Sequence, residues 1–178
     1  MKELSLHILD IAKNAVRANA NRIDITVFED IENDSLSIVI KDNGCGMSEG
    51  FLKKVRDPFT TTKTTRKVGL GIPLFETAAL QNGGEFSITS KENIGTEVKA
   101  VFVYSNADRA PLGDIAETII TLISGSPEIR FVYTYKTNNK EFVFDTKEVK
   151  KQLGSVSIAN AKVLNWICEY IREEINEK

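Results

Sequence analysis

Asp42-Asn43-Gly44-Cys45-Gly46-Met47 follows directly on a run in which Leu36, Ile38 and Ile40 alternate with Ser35, Ser37, Val39 and Lys41. Alternation at a period of two predicts a strand with one face buried. The acid and the two glycines therefore open a loop at a strand end. Glycine lets backbone approach a bound molecule closely, and a carboxylate at the floor of a pocket accepts a hydrogen bond from an amine with geometric selectivity. Taken alone, the stretch fits both a ligand loop and an ordinary β-turn built on Asp and Gly.

On its N-terminal side, Leu4, Ile8, Ile11 and Ala15 recur at spacings of 4, 3 and 4, which predicts a helix over residues 3–18. Ile23, Ile25 and Val27 alternate as a strand, Asp30 to Asp34 is a polar turn, and the strand ending at Asp42 becomes the hairpin partner. On the C-terminal side, Ser48 caps a short helix reaching Val55, Pro58 ends regular structure, and residues 56–68 read as a loop. Residues 70–81 read as a helix with Pro73 in its first turn, where the missing N–H costs nothing, and Gly83-Gly84 ends it. Strands at 85–90 and 96–104 follow, separated by the turn Lys91 to Gly95.

This pattern predicts an α+β two-layer arrangement over residues 1–104: a mixed, mostly antiparallel sheet with helices on one face, closing at about Tyr104. Ser105 to Pro111 reads as a linker to a small α+β C-terminal unit spanning 105–178. That unit comprises a helix at 112–124, strands at 129–135 and 141–145 joined by Thr137-Asn138-Asn139, and two helices. The stripe Val163, Leu164, Ile167, Ile171 and Ile175 on the last helix is expected to pack on its own domain.

At 178 residues and 42% apolar content the chain can bury a substantial core. A net charge of -2 argues against nucleic-acid or membrane-surface partners, which call for excess positive charge. Cys45 and Cys168 lie far apart without metal-ligand spacing, so a reduced cytoplasmic setting is expected, with neither a disulfide framework nor a zinc site. No apolar run approaches the roughly 20 residues of a membrane span.

Two constellations carry chemistry. His7, Asp10, Asn14 and Arg17, at spacings of 3, 4 and 3, share one face of the first helix. That face is either simply solvated or a metal–nucleotide site, with an amide oxygen for a hard cation, a carboxylate to position water and a guanidinium for phosphate. His7, the single histidine, either orients Asp10 or sits at the domain edge. The second is Pro58 to Gly71, a basic, hydroxyl-rich loop running into a helix whose start holds Gly69 and Gly71. Free N–H groups at a helix N-terminus bind anions, and Lys63 adds a point charge. Between residues 53 and 67, six basic side chains against Asp57 leave five net positive charges, pointing to a polyanion. Neither a Walker A loop nor the G-x-G-x-x-G dinucleotide fingerprint is present.

Together these stretches resemble the GHKL superfamily of Bergerat-fold ATPases, which includes sensor histidine kinase catalytic domains, DNA gyrase, MutL-type repair proteins and the large heat-shock chaperones. Asp10 to Ala18 looks like the N box, Asp42 to Met47 the first glycine box, Pro58 to Lys63 with Gly69-Leu70-Gly71 the lid and second glycine box, and Gly95-Thr96 the terminal glycine-threonine. The lid wording is nearest the histidine kinases.

The resemblance implies bound ATP and Mg²⁺. Asn14 would ligate the metal, Asp42 would accept the adenine amino group, and Gly44, Gly46 and Met47 would shape the base pocket. Thr96 would join through water, Arg17 and Lys63 would face the phosphates, and Gly69, Leu70 and Gly71 would supply the second glycine box. Asp10 takes the catalytic carboxylate position where relatives usually carry Glu, shortening its reach by one methylene, and Lys67 and Val68 stand where kinases tend to place Gly and Thr. With the N box so near residue 1, no helical dimerisation domain bearing a phosphoacceptor histidine is expected in this chain.

Three functions follow as expectations: phosphoryl transfer to a protein partner in trans, as in stand-alone anti-sigma serine kinases of the superfamily, or slow ATP hydrolysis; a nucleotide-gated protein-binding module with little or no catalysis; or a structural domain without ATP. Residues 105–178 hold no catalytic motif and read as partner-binding, regulatory or stabilising.

Overall fold

The computed structural model describes residues 3–57 and 70–176. In chain order these form α1 (Leu4–Arg17), β1 (Arg22–Asp30), β2 (Ser35–Asp42), α2 (Glu49–Val55), α3 (Gly71–Gln81), β3 (Glu85–Lys91), β4 (Gly95–Val103), α4 (Ile115–Gly125), β5 (Arg130–Thr137), β6 (Glu141–Asp145), α5 (Thr146–Leu153) and α6 (Ala161–Asn176).

Branched apolar residues at every second position build the strands. Ile23, Ile25 and Val27 in β1 and Leu36, Ile38 and Ile40 in β2 are all buried on one face, and the strands pair antiparallel with Ile25 opposite Ile40 and Val27 opposite Ile38. β4 pairs antiparallel along the other side of β2, and β3 along β4. The buried face is covered by helices, which gives two layers. On the opposite face Thr26, Val39, Val101 and Val132 are half-buried.

The sheet does not close at Tyr104. β5 adds in parallel to β1, placing Ile23 opposite Phe131, Ile25 opposite Tyr133 and Val27 opposite Tyr135, and β6 pairs antiparallel beyond it. The result is one mixed six-stranded sheet in the order β3-β4-β2-β1-β5-β6. Phe131, Tyr133 and Tyr135 are large, continue the buried face of β1, and join the same hydrophobic cluster as the first four strands. Tyr135 Oη donates to Glu29 Oε2 at 2.8 Å, which brings a carboxylate into that interior with a hydrogen-bond donor on it.

Residues 105–113 run back to the start of α1 rather than away from it. Glu3 offers α1 no side-chain cap, and instead the Leu4 and Ser5 N–H groups donate to the carbonyls of Pro111 and Leu112 at 2.9 and 2.8 Å. Two of the four orphan donors at that helix end are thereby satisfied by chain from the C-terminal segment. Thr118 of α4 adds a bond from its hydroxyl to the Ser5 carbonyl at 3.3 Å. Among the described residues no helix is long and apolar enough to cross a membrane.

His7 departs from its expected place on a polar face. It is 2% exposed, with its ring stacked on Phe75 of α3 at 5.2 Å. Burial lowers its pKa to about 4, so it is neutral. The reason is that α1 is packed by α3 and α4 as well as by the sheet. His7, three residues after Leu4 and four before Ile11, belongs to the apolar stripe as much as to the polar one.

Truncation of Phe131 to Ala should cost about 3–5 kcal/mol, the usual range for emptying an aromatic core position. Because both segments share one sheet and core, urea unfolding followed by Trp166 fluorescence and by far-UV circular dichroism should shift together. A shift confined to the Trp166 signal would show that the C-terminal segment unfolds on its own.

Candidate functional site

The loop after β2 is held on three sides by backbone. Cys45 N–H donates to the Ala18 carbonyl at 2.8 Å, tying the loop to the end of α1, and Asn93 N–H donates to the Cys45 carbonyl at 2.7 Å, tying it to the β3–β4 turn. Asn43 Oδ1 accepts from the Asn21 and Arg22 N–H groups at 3.0 Å each. These approaches require glycine. A Cβ on Gly44 would lie 2.7 Å from the Ala18 carbonyl oxygen, and one on Gly46 would overlap the Lys91 carbonyl at a φ of +68°, where L side chains are strained.

The geometry delivers Asp42 to the rim of a cavity. Asp42 pairs with Thr96 across β2 and β4, and its Oδ1 accepts the Gly44 N–H at 2.8 Å. Burial pushes its pKa up, while hydrogen bonds from the Gly44 and Thr96 backbone hold it down. A carboxylate has about four lone-pair sites, so Asp42 keeps acceptor capacity for a ligand. Ser90 Oγ accepts the Met47 N–H at 2.8 Å and lies 2.8 Å from Thr96 Oγ1, joining the loop to the glycine-threonine turn.

The cavity encloses about 440 Å³, within the range of small-molecule sites. Asn14, Arg17, Asp42, Gly46, Met47 and Thr96 all line it, though they lie as far apart in sequence as residues 14 and 96. Its apolar walls include Ile11, Ala15, Phe51, Ile72 and Val98. A flat apolar ring with one amine edge suits that lining: side chains for its faces, a carboxylate for its edge.

On α1 the polar face extends the cavity. Arg17 Nη1 donates to Asn14 Oδ1 at 2.7 Å, while Asn14 Nδ2 is buried without a hydrogen-bond partner among the described residues. Asp10 lies one turn earlier, beside Gly71 at the start of α3, where an added Cβ would sit 3.3 Å from the Asp10 Cβ. Burial raises the Asp10 pKa against the opposing pull of Lys13 and Arg17. Among the described residues no three His, Cys, Asp or Glu side chains cluster as a metal cage. A hard cation here would rest on one amide oxygen, with the remaining positions left to ligand oxygens and water, as Mg²⁺ accepts.

The remaining expected residues differ in placement. Gly44 is buried behind the loop and Gly71 packs against Asp10 and Asn14, while Leu70 is 40% exposed and does not line the cavity. Lys63 and Gly69 lie outside the described residues. Ser90 and the walls Phe51, Ile72 and Val98 were not singled out from the sequence. No motif marks them: Ser90 is one hydroxyl in a strand, and the apolar residues read as ordinary core.

Residues 2–106 match the family described as Histidine kinase-, DNA gyrase B-, and HSP90-like ATPase. The chain is 29% identical over 109 residues to a putative sensor protein of Shewanella frigidimarina, covering 60% of this chain and 17% of that protein. It is 33% identical over 96 residues to sporulation kinase E of Bacillus subtilis, covering 53% of this chain and 13% of the kinase. The chain thus spans less than a fifth of the length of these curated relatives. Among solved structures it is similar to the Aquifex aeolicus MutL ATPase domain complexed with ADP, at a TM-score of 0.54 and 14% identity, covering 85% of this chain and 68% of that one. The N-terminal domain of a DNA repair protein matches at a TM-score of 0.53 and 17% identity, covering 80% of this chain and 52% of that one. At these identities the likeness is one of fold, and a coverage of 85% carries it past residue 106 into the C-terminal segment.

Substitution of Gly46 by Ala combines a collision with the Lys91 carbonyl and an unfavourable φ. It should destabilise the protein by roughly 1–3 kcal/mol, measured by urea denaturation; an unchanged midpoint would show that the loop does not need this approach.

Proposed function

Because the chain belongs to the Histidine kinase-, DNA gyrase B-, and HSP90-like ATPase family, we propose that it binds Mg-ATP in the cavity between α1 and the Asp42 loop. We further propose that it passes the terminal phosphoryl group to a protein partner in trans, or slowly hydrolyses ATP, in a regulatory role. The ATP-binding domain of that family is what residues 2–106 represent. The observation that supports this use of the site most directly is the convergence of Asn14, Arg17, Asp42 and Thr96 on one cavity.

Each side chain has a task in this reading. Asp42 accepts the adenine amino group and rejects guanine, whose six-position carbonyl offers no donor. Met47, Phe51, Ile72 and Val98 exclude water from the base. Asn14 Oδ1 supplies a protein oxygen for Mg²⁺, which when bound would neutralise phosphate charge. Arg17 faces the phosphates and Asp10 holds a water or acceptor hydroxyl in place. Phosphoryl transfer asks chiefly for positioning and charge stabilisation, both within reach of such a set.

One feature favours a second reading. Asp10 is a methylene shorter than Glu, and a nucleotide-gated protein-binding module with little catalysis would tolerate that reach. Incubation with ATP labelled at the γ-phosphate, Mg²⁺ and native cell extract separates the cases: a labelled protein supports transfer, free phosphate supports hydrolysis, and neither supports the gated module.

Asp42→Ala should weaken ATP binding by roughly 10- to 100-fold, the loss of one hydrogen bond to a charged acceptor, with the fold retained. Calorimetry showing parental affinity in the folded variant would remove Asp42 from the site. Asn14→Ala should abolish the gain in ATP affinity that Mg²⁺ confers; an equal gain in variant and parent would dismiss Asn14 as the ligand.

A further inference from the structure

Arg17 and Asn14 stand three residues apart in the last turns of α1, both lining the cavity, with Arg17 Nη1 donating to Asn14 Oδ1 at 2.7 Å. A guanidinium carries donors only, so this bond sets the Asn14 amide: oxygen toward Arg17, nitrogen away from it. Nδ2 is accordingly buried with no hydrogen-bond partner among the described residues, and a Cβ added to Gly71 would lie 3.8 Å from it. Among the described residues the amide nitrogen has no polar contact that would favour the flipped orientation. Its oxygen, the hard donor of the site, therefore already bears a cation.

We propose that Arg17 is a built-in cation of this site, occupying in the nucleotide-free protein the Asn14 oxygen that a divalent metal takes, and so reducing the dependence of nucleotide binding on the metal. The proposal rests on the reading of the cavity as an ATP site. Two cations on one amide oxygen repel each other strongly in a partly desolvated cavity. Metal entry therefore costs the Arg17–Asn14 bond and turns the guanidinium toward the phosphates. When the metal is scarce, Arg17 stays at the site and offsets part of the charge of the incoming anion. The long side chain is exposed at the end of its helix, so it reaches either position without disturbing the core.

The test is the affinity for ADP, by isothermal calorimetry with and without Mg²⁺, of the full chain and its Arg17→Gln, Arg17→Lys and Asp42→Ala variants. Arg17→Gln should bind ADP more weakly than the parent without metal, and its gain on adding Mg²⁺ should exceed the parent's by roughly tenfold. Arg17→Lys keeps the charge but loses the planar fork, and should fall between the two. An equal gain in parent and Arg17→Gln overturns the proposal. A smaller gain also overturns it, because Arg17 would then help to hold the metal rather than stand in for it. Parental ADP binding by Asp42→Ala overturns the site reading itself; loss of binding there together with equal Mg²⁺ gains overturns only the role of Arg17.

Discussion

Close backbone approach at the end of β2 is the constraint on which the rest of the site depends. The Asp42–Met47 loop lies between the turn after α1 and the β3–β4 turn, bonded to both through Cys45. Gly44, Gly46 and Gly95 leave no room for a Cβ, and at Gly95 an added Cβ would overlap the Asp42 carbonyl. Three chain segments distant in sequence are thus brought to backbone contact around one carboxylate. The cavity is what remains between them and α1, so its floor is positioned by main chain rather than by adjustable side chains.

α1 serves two masters through one periodicity. Ile8, Ile11 and Ala15 are buried in the core, while Asn14 and Arg17 line the cavity and Asp10 lies beside Gly71. Its N-terminus is completed by the Pro111 and Leu112 carbonyls. The C-terminal segment consequently supports the site helix at a distance, in addition to extending the sheet through β5 and β6.

Legibility in the sequence followed the range of the interaction. Element types and most boundaries were readable because they arise from local patterns: Ser48 caps α2 by accepting the Phe51 N–H, and Gly83 with a φ of +82° ends the chain run after α3. Asp42, Gly46, Asn14, Arg17 and Thr96, which the structure brings to one cavity, each sit in a short motif with a chemical reason. The place of His7 was not readable, since its burial needs Phe75 of α3 to arrive beside it. Ser90 was not, since a lone strand hydroxyl becomes a link only when Met47 and Thr96 fold onto it.

What the sequence by itself determined is therefore the set of elements, the buried face of β1 and β2, and the short polar and glycine motifs that meet at the cavity. Hydrophobic period and glycine placement are local properties of the chain, and they act before any long-range contact forms. Only the tertiary structure decided that β5 lies parallel to β1 in the same sheet and that residues 111 and 112 cap α1. Those outcomes turn on which edges and donors remain unsatisfied once the first four strands have paired, a question of surfaces meeting in space that no single segment encodes.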